Sequence, residues 1–568
     1  MRTVVLLVLC LLLNQFTLKA QQLGFLYERI DELFENFNQH ESPGYALGII
    51  SHGELVYAKG YGKANLEYNI PLSDSSAFYI GSMAKQFTTA ALLILESRGK
   101  IDLNKPVNQY LSEFPQYEHE ITINHLIHHT SGIRETNSLQ LFQGIDPKFE
   151  EVFDTEDLYE LILAQEELNF KTGEEFRYSS GGYAVLALLV ERVSKMPFRA
   201  FLDKNIFSPL GMENTFVCDD HNEIVKNRAV SYWPIGNGSY ERRSQVFDAY
   251  GDGGIITTVK DLVKWDAAFY DDKLGVKGFS SKMYQKGRLN NGDEIEYARA
   301  LQVRNYKGLQ MITHNGGMLG FRVDMVRFPE VKTSFILLGN SAFLDPTGDI
   351  LKVADLYLKS EFKEVVKIEQ GDQHETEIKV DSNILNQYVG YYWTDDTNYF
   401  RRISKKQDSL FLDNGNQDYA QYLMPLGDGE YSIKDFYLPN RLNFNPDNKG
   451  EELVATFGSS KRRFRKFNPQ PPVSLEELRA YTGKYYSKEL SSTYSIFIES
   501  EVAFLQINNS KPVQIFPLLQ NSRFVWNGRK MLWIGFGEVK FVINENNTVT
   551  GFEIGDGRVS GVRFTKQH

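Results

Sequence analysis

Cysteine is scarce in this chain of 568 residues, which contains only Cys10 and Cys218. Cys10 lies in an N-terminal segment that we expect to be removed, so the remaining chain would keep one thiol and could form no intrachain disulfide. A secreted protein without disulfides fits a bacterial envelope better than an animal extracellular fluid. We therefore expect a secreted protein of the bacterial periplasm or the extracellular medium.

Long hydrophobic runs are equally scarce. The one at the N-terminus, from Val4 to Leu13, follows the positive charge of Arg2 and precedes the small residue Ala20. This arrangement is typical of a secretory signal peptide, here residues 1–20, and the run is too short to span a bilayer. We expect no stable membrane anchor after its cleavage.

An excess of positive charge is also missing, because 62 Lys and Arg stand against 73 Asp and Glu, for a formal net charge of −11. Such a balance argues against a nucleic-acid partner. We expect a small-molecule or peptide substrate as the partner, and the composition leaves the oligomeric state open.

The length is sufficient for two to four domains. Between about Phe25 and Phe343, helical periodicity alternates with strand periodicity, as in the two strands 44–50 and 55–60 around a turn. This pattern predicts an α+β fold in which helices flank an antiparallel sheet. We assign residues 21–350 to this domain, and the polar stretch 351–382 to a connecting helix and linker.

An internal repeat marks the remainder of the chain. Leu385–Tyr392 resembles Leu478–Tyr485, 93 residues later, and Arg463–Lys466 resembles Arg563–Lys566. Short strands and many aromatic residues in each copy predict two small antiparallel β-barrel-like domains, residues 383–472 and 473–568. We expect them to support the structure or shape the substrate site rather than carry out chemistry.

The strongest chemical signal is Ser82-Met83-Ala84-Lys85, followed by a helical pattern. Residues at i and i+3 share a helix face, so the Lys85 amine can approach the Ser82 hydroxyl. A serine needs such a base to act as a nucleophile, which favours acyl transfer. Ser360 and Lys363 have the same spacing, but they lie in a charged stretch that is typical of a solvated surface.

Two later segments complete a plausible acyl-transfer site. Tyr178 precedes Ser179 and Ser180, and its phenol could take up or relay the proton of the nucleophile. His314 begins a glycine-rich stretch with Gly316 and Gly317, in which a backbone N–H could form an oxyanion hole together with that of Ser82. His314 could shuttle a proton or hold an anionic group.

Three nearby histidines, His125, His128 and His129, raise the alternative of a zinc site. The glutamate base of a zinc-hydrolase helix motif is missing between them, so hydrogen bonding in the core is the better interpretation. We therefore predict neither a metal ion nor an organic cofactor.

From about Gly24 to Phe343 the chain resembles the serine β-lactamase and penicillin-binding protein family, in its branch of C-type β-lactamases, D,D-carboxypeptidases, D-aminopeptidases and esterases. The resemblance implies that Ser82 is the nucleophile, that Lys85 activates it and that Tyr178 transfers the proton. It also implies an oxyanion hole made by the N–H groups of Ser82 and Gly317. The motifs that carry the resemblance are Ser82 with Lys85, Leu126 to Gly132, Tyr178 to Ser180, Gly253 to Thr258, and His314 to Gly316.

Two positions depart from the pattern of that family. Ser180 stands where Asn is usual, and its hydroxyl reaches less far and offers fewer donors than an amide. His314 stands where many relatives carry a lysine that would hold a substrate carboxylate. We therefore predict a peptidase, carboxypeptidase, D-aminopeptidase, esterase or acyl transferase. A true β-lactamase, or a penicillin-binding sensor that does not turn over, is the alternative. The two C-terminal units resemble the barrel domains appended to D-aminopeptidases.

Overall fold

The computed structural model describes residues 23–39, 41–145, 152–236, 238–363, 378–394, 399–413, 420–433, 440–444, 450–457, 460–467, 475–514, 516–520, 523–525 and 538–567. The predicted signal peptide, residues 1–20, lies outside these ranges, and so does the part of the predicted linker from 364 to 377.

An antiparallel sheet forms the centre of the first domain, as the α+β prediction requires. Its first hairpin turns at His52 and Gly53, which both have positive φ, 53° and 85°. From one edge to the other, the strands are Gln302–Tyr306, Leu309–Thr313, Phe321–Phe328, Thr333–Gly339, Tyr45–Ser51 and Glu54–Tyr61, and the short strand Gly316–Met318 pairs with Phe321–Phe328.

Both faces of this sheet are buried, which makes the domain three layers deep. Ala46 and Ile50 face a large core that the helices on one side share. Leu47 and Ile49 face a second core, which contains residues of helix 23–39 and of the last helix of the domain. Alternate residues of one strand thus contact opposite layers, as the pleat of a strand requires.

Two buried helices lie on the side that carries the site. Lys85–Ser97 follows the 3-10 turn Gly81–Ala84, and Gly181–Ser194 packs against it. Both are apolar around most of their circumference, which is typical of helices inside a core. The other helices of the domain, besides 23–39, are Ile123–Ile127, Thr136–Phe142, Thr155–Leu163, Phe198–Leu202, Ser208–Leu210, Val259–Ala267, Phe279–Met283 and Pro346–Tyr357, with 3-10 turns at Val107–Gln109 and Pro329–Val331 and a π-helical turn at Asp203–Phe207.

Small sheets outside the centre connect these helices. They pair Lys63–Asn65 with Ile70–Pro71, Ile255–Thr257 with Phe78–Tyr79 and Phe216–Val217, and Ser231–Gly236 with Ser239–Arg243.

The predicted domain boundary at residue 350 falls inside the helix Pro346–Tyr357. This helix begins with the Asp345 side chain accepting the Gly348 N–H, and its buried residues, among them Val353 and Ala354, pack against the central sheet. We therefore extend the first domain to the end of this helix, because its apolar face belongs to the core of that domain.

The first β unit is a closed eight-stranded antiparallel barrel, preceded by the helix Ser382–Tyr388. Closure follows from pairing of its first strand with both its neighbour and its last strand. The strands are Gly390–Thr394, Tyr399–Lys406, Ser409–Asp413, Gln421–Gly427, Glu430–Ile433, Asn440–Phe444, Glu452–Phe457 and Ser460–Phe467.

The second β unit is an open sheet of nine strands, or half-barrel, preceded by the helix Leu475–Arg479. Both barrel-like predictions therefore hold at the level of antiparallel β units, and within the described residues strand pairing closes the first unit. In spatial order the strands are Val513–Gln514, Val502–Ile507, Ser492–Glu499, Gly483–Ser487, Val562–Lys566, Val549–Ile554, Glu538–Ile543, Arg523–Val525 and Phe516–Gln520.

The sequence repeat is also a structural repeat. The Tyr392 hydroxyl donates to the Tyr388 carbonyl at 2.8 Å, and 93 residues later the Tyr485 hydroxyl donates to the Tyr481 carbonyl at 2.7 Å. Each of these tyrosine rings also lies under a lysine amine, at 5.9 Å in the first unit and 5.6 Å in the second. The two units thus begin with the same arrangement, in which a tyrosine hydroxyl donates to the carbonyl four residues earlier and a lysine amine lies over the tyrosine ring. We call this arrangement the corner. Among the helices described, none is long and apolar enough to cross a membrane.

Candidate active site

Ser82, the predicted nucleophile, lies in the 3-10 turn that starts the first buried helix, and Lys85 is the first α-helical residue after it. The Lys85 amine donates to the Ser82 hydroxyl at 3.1 Å. Ser82 is partly exposed, whereas Lys85 is completely buried. The structure therefore brings together the pair that the spacing predicts.

Three acceptors surround the Lys85 amine, which has three N–H groups to donate. Besides Ser82, they are the Asp252 carbonyl at 2.8 Å and the Ser180 hydroxyl at 3.4 Å. The amine also lies over the Tyr178 ring at 5.0 Å and over the Tyr183 ring at 5.4 Å. Because its three N–H groups all have acceptors, the Lys85 amine is held in place and orients the groups around it.

Two carboxyl groups near this amine escaped the sequence analysis. Glu135 is fully buried and accepts the Ser180 N–H at 2.6 Å. Burial raises the pKa of the Asp252 carboxyl, while Lys85 acts in the opposite direction and Glu135 adds to the rise. Their positions next to the predicted motifs, after Gly132 and before Gly253, were the only signal in the sequence.

Tyr178 lies at the entrance to the second buried helix, with its ring against His129 at 4.1 Å between centroids. Its hydroxyl is buried and has no hydrogen-bond partner among the described residues. An unpaired buried hydroxyl costs about 1–3 kcal/mol. The phenol thus stands beside Lys85, and the predicted proton transfer through it stays a prediction.

His314 is buried behind the phenol, and both its ring nitrogens are engaged. Because a carbonyl only accepts, Nδ1 donates to the Asn315 carbonyl at 2.7 Å, and Nε2 then accepts the Tyr297 hydroxyl at 2.9 Å. Burial, with a further contribution from Lys85, lowers the pKa of His314 to about 3. The imidazole is therefore neutral at physiological pH. Its predicted roles in proton transfer or anion binding stay predictions.

The strand Gly316–Met318 packs directly against the nucleophile turn. A Cβ on Gly316 would lie 1.9 Å from the Ile80 carbonyl oxygen, and a Cβ on Gly81, where φ is +48°, would lie 2.8 Å from the Gly317 nitrogen. Only glycine allows backbones to approach so closely. The Gly317 amide thus borders the turn that carries Ser82, where the first helical N–H groups have no acceptor within the helix. The oxyanion hole itself stays a prediction.

The three histidines of the zinc alternative contact groups of the chain itself. His125 Nδ1 accepts the Thr122 N–H, His128 Nδ1 lies 2.9 Å from the Asn124 carbonyl, and His129 Nδ1 accepts the Ser179 N–H. His129 thereby supports the loop that holds Tyr178, Ser179 and Ser180. This is the core hydrogen bonding that the sequence analysis favoured.

One group of the site comes from outside the first domain. The guanidinium carbon of Arg558, in the second β unit, lies 5.4 Å from the centroid of the Tyr178 ring. Sequence reasoning missed Arg558 because only docking of the two domains brings residues so distant in the chain together.

Comparison with known proteins identifies the family. The family profile described as Beta-lactamase matches residues 30–357, more than half of the chain. The chain belongs to the beta-lactamase family. It is a serine hydrolase related to penicillin-binding proteins and D-aminopeptidases.

Relatives of this beta-lactamase family member differ in how much of the chain they cover. Penicillin-binding protein 4* of Bacillus subtilis (strain 168) is 26% identical over 460 residues, which cover 77% of this chain and 98% of that protein. A D-aminopeptidase of Gluconobacter oxydans (strain 621H) is 23% identical over 303 residues, which cover 52% of this chain and 56% of that protein.

Solved structures agree on the fold. The octameric penicillin-binding protein homologue from Pyrococcus abyssi has a TM-score of 0.55 and 23% identity, and covers 78% of this chain and 100% of its own. The D-amino acid amidase from Ochrobactrum anthropi SV3, complexed with D-phenylalanine, has a TM-score of 0.51 and 18% identity, with coverage of 59% and 99%. At these identities the likeness establishes the fold alone.

Proposed function

We propose that this serine hydrolase cleaves amide or ester bonds through a covalent acyl-enzyme on Ser82, as a peptidase, carboxypeptidase, D-aminopeptidase or esterase. The observation that carries the proposal is the 3.1 Å contact between the Ser82 hydroxyl and the buried Lys85 amine, beside the Tyr178 ring. Transfer of the acyl group to an acceptor other than water is compatible with the same chemistry.

In the acylation step, Ser82 Oγ attacks the carbonyl carbon, and its proton passes to the pair formed by the Lys85 ammonium and Tyr178, in which Tyr178 enters the step as the phenolate that takes up the proton. The carbonyl electrons move onto the oxygen, which the N–H groups of Ser82 and Gly317 stabilise. One such donor is typically worth about 2.7–4 kcal/mol in the transition state. The bond to the leaving group then breaks, and the leaving group departs with the transferred proton.

In the second step, water or another acceptor attacks the ester of Ser82, and the same pair takes its proton and returns one to Ser82 Oγ. The unpaired Tyr178 hydroxyl supports this assignment, because a leaving group bound beside it would supply the missing hydrogen-bond partner. Both steps are written with groups of this chain, the substrate and the acceptor molecule.

Two side chains support the part of this proposal that favours peptides or esters over penicillins as substrates. Ser180 presents a hydroxyl where an amide donor would reach further, and that hydroxyl accepts from Lys85. His314 is neutral and enclosed, so it supplies no fixed positive charge to the pocket wall. We propose that β-lactam turnover is correspondingly slow.

Two serines with the same spacing to a lysine give a matched test. We expect Ser82→Ala to abolish turnover and covalent labelling by a fluorophosphonate. Ser360→Ala should change neither, because Ser360 is exposed and its hydroxyl donates to the neighbouring Glu361 carboxylate. Full activity of the Ser82→Ala protein would refute the assignment.

The substrate class follows from a screen of D- and L-amino-acid amides, simple esters and D-Ala-D-Ala peptides, with nitrocefin as the β-lactam. Rapid nitrocefin hydrolysis would favour the β-lactamase alternative. A permanent acyl adduct on Ser82 in intact-protein mass spectrometry, without product release, would favour the sensor alternative. We expect turnover of an amide or ester and at most slow acylation by nitrocefin.

We also propose export to the bacterial periplasm or medium, which the N-terminal hydrophobic run and the lone remaining cysteine support. N-terminal sequencing of the protein from fractionated cells should begin at Gln21. Recovery of the uncleaved chain from the cytoplasm would contradict this.

A further inference from the structure

A loop of the second β unit, residues 555–561, joins strands Val549–Ile554 and Val562–Lys566 and carries Arg558 at its tip. The buried Asp556 carboxylate fixes this tip by accepting the N–H groups of Arg558 and Val559, each at 2.7 Å. Because the backbone of Arg558 is bonded inside its own loop, its side chain starts from a defined position.

The loop is also bonded to the first domain. Asn169 donates to the Arg558 carbonyl at 2.7 Å and accepts the Ser560 N–H at 2.9 Å. Arg134 donates to the Ser560 and Gly561 carbonyls at 3.1 and 3.2 Å. The position of the loop against the active site is thus set by hydrogen bonds on both of its sides.

A buried ion pair secures this docking. Arg134 donates to Glu489 of the second β unit at 2.6 Å, and their side chains are only 1% and 8% exposed. The Arg134 carbonyl accepts the Ser179 hydroxyl, and Ser179 directly follows Tyr178. One residue therefore connects the docked loop to the segment that holds the phenol.

The Arg558 side chain is exposed although its backbone is fixed. Within the described part of the chain, its guanidinium forms no ion pair with a carboxylate, and it lies 5.4 Å from the centre of the Tyr178 ring. Among the residues that the structure describes, Lys85 also lies over the Tyr178 ring, and it is buried with three hydrogen-bond acceptors around its amine. Arg558 is thus a cation beside the site that keeps its donors available to a ligand.

We propose that Arg558 is a specificity-determining residue, which binds a carboxylate on the leaving side of the bond that Ser82 cleaves. The leaving side follows from the proposed function, on which this inference rests, since Tyr178 has to stand next to the leaving group to protonate it. A guanidinium fits a carboxylate through two parallel hydrogen bonds. The second β unit would then select the substrate while the first domain performs the chemistry.

A different role for Arg558 makes a different prediction. A cation near a phenol also stabilises the phenolate, and this effect is the same for every substrate. A carboxylate contact instead discriminates between a substrate with a free carboxylate and its carboxamide. The ratio of kcat/KM values for such a pair therefore separates the two roles.

The test uses peptides of the best acyl group found in the screen, each ending in a free carboxylate or in the matching carboxamide. We expect Arg558→Gln to lower kcat/KM for the carboxylate by about 10-fold to 100-fold, the typical loss of a charged hydrogen bond. The carboxamide should be hydrolysed at an unchanged rate. Arg558→Lys should recover part of the preference, because it keeps the charge without the bidentate geometry.

Arg563→Gln is the matched control, since it removes an equal charge from the same unit. Arg563 pairs with Glu167 at 3.0 Å, and we expect its loss to leave the preference intact. Equal loss on both substrates, or no change, in Arg558→Gln would overturn the inference. Fluorophosphonate labelling of Ser82 in each variant keeps the two proposals apart: wild type that is neither labelled nor active refutes the proposed function, whereas labelled protein without a carboxylate preference refutes only the role of Arg558.

Discussion

The two β units begin with the same corner, but they differ in which residues of the protein form their cores. The core of the first unit consists of residues 385–464 of that unit and the adjacent Val380. The core of the second unit includes Leu139, Phe142 and Leu161 of the first domain. Within the described residues, a common repeat has thus produced one barrel with a core of its own and one sheet that completes its core on a neighbour.

The two units cover their apolar residues in different ways. A barrel that pairs its first and last strands has no free edge and keeps its apolar faces inside. The sheet of the second unit packs apolar residues on the helices Thr136–Phe142 and Thr155–Leu163. The docking that results carries the loop with Arg558 to the active site. In this protein, the appended unit that shares a core with the first domain is the one that reaches the candidate active site.

Matched phenylalanines at the ends of the two units give the largest expected effect. Phe464 and Phe564 are both buried, at 2% exposure. Replacing either by alanine should destabilise its unit by about 3–5 kcal/mol. Only Phe564→Ala should also reduce the carboxylate preference of the hydrolase, measured at a temperature where both proteins remain folded. Equal loss of preference in both variants would contradict the division between the units.

The docking ion pair gives the next largest effect. Glu489→Gln leaves the buried Arg134 charge without its partner, which typically costs about 3–5 kcal/mol. Glu452→Gln is the control in the first unit, where Arg463 and Glu452 are 70% and 29% exposed, and we expect a change of about 0–1 kcal/mol. Chemical denaturation of both variants measures these values. Similar stability of the two would show that the docking does not depend on this pair.

Acidification should weaken the first domain more than the β units. Burial and Lys85 hold the pKa of His314 at about 3, below its ordinary value of 6.5. The neutral, buried His314 therefore contributes its full share to the stability of the folded state above pH 6.5. This contribution declines as the pH falls toward 3, because only the unfolded chain takes up the proton in that window. The slope is at most about 1.4 kcal/mol per pH unit. Residues 378–567 contain no histidine.

Calorimetry at pH 7 and pH 5 measures this difference between the regions. We expect the transition of the first domain to move to lower temperature at pH 5, and His314→Asn to reduce the slope. A shift of the same size in the transitions of all three regions would contradict the assignment of the effect to buried histidines.

The smallest expected effect on stability tests the corner that the two units share. Gly390 and Gly483 have φ of +150° and +141°, and an added Cβ would approach Lys466 Cε and Lys566 Cε at 2.7 and 2.8 Å. Alanine at either position should destabilise its unit by about 1 kcal/mol. The two changes in denaturation midpoint should match. A large difference between them would show that the corners are not equivalent.

Local patterns predicted much of this molecule. The Ser-x-x-Lys spacing placed the Ser82 and Lys85 side chains on one helix turn, and strand periodicity predicted the hairpin formed by residues 44–50 and 55–60. The repeat predicted two β units. The α+β fold and the family were confirmed by the comparisons, whereas the roles of Tyr178, His314 and the glycines stay predictions.

Contacts between distant segments were beyond prediction for a physical reason. The bond from Tyr297 to His314 depends on how a loop folds over the sheet, and the approach of Arg558 to Tyr178 depends on how one domain docks on another. Neither contact corresponds to a periodic pattern or a motif spacing in the sequence, because each forms between surfaces that exist only after folding.

The sequence by itself determined the contact between Ser82 and Lys85, the sheet with its flanking helices, and the duplication of the β unit, since each depends on residues a few positions apart or on a simple repeat. Tertiary structure alone decided that the second unit shares a core with the first domain and which charges surround the phenol, because those outcomes depend on how complete surfaces fit and exclude water.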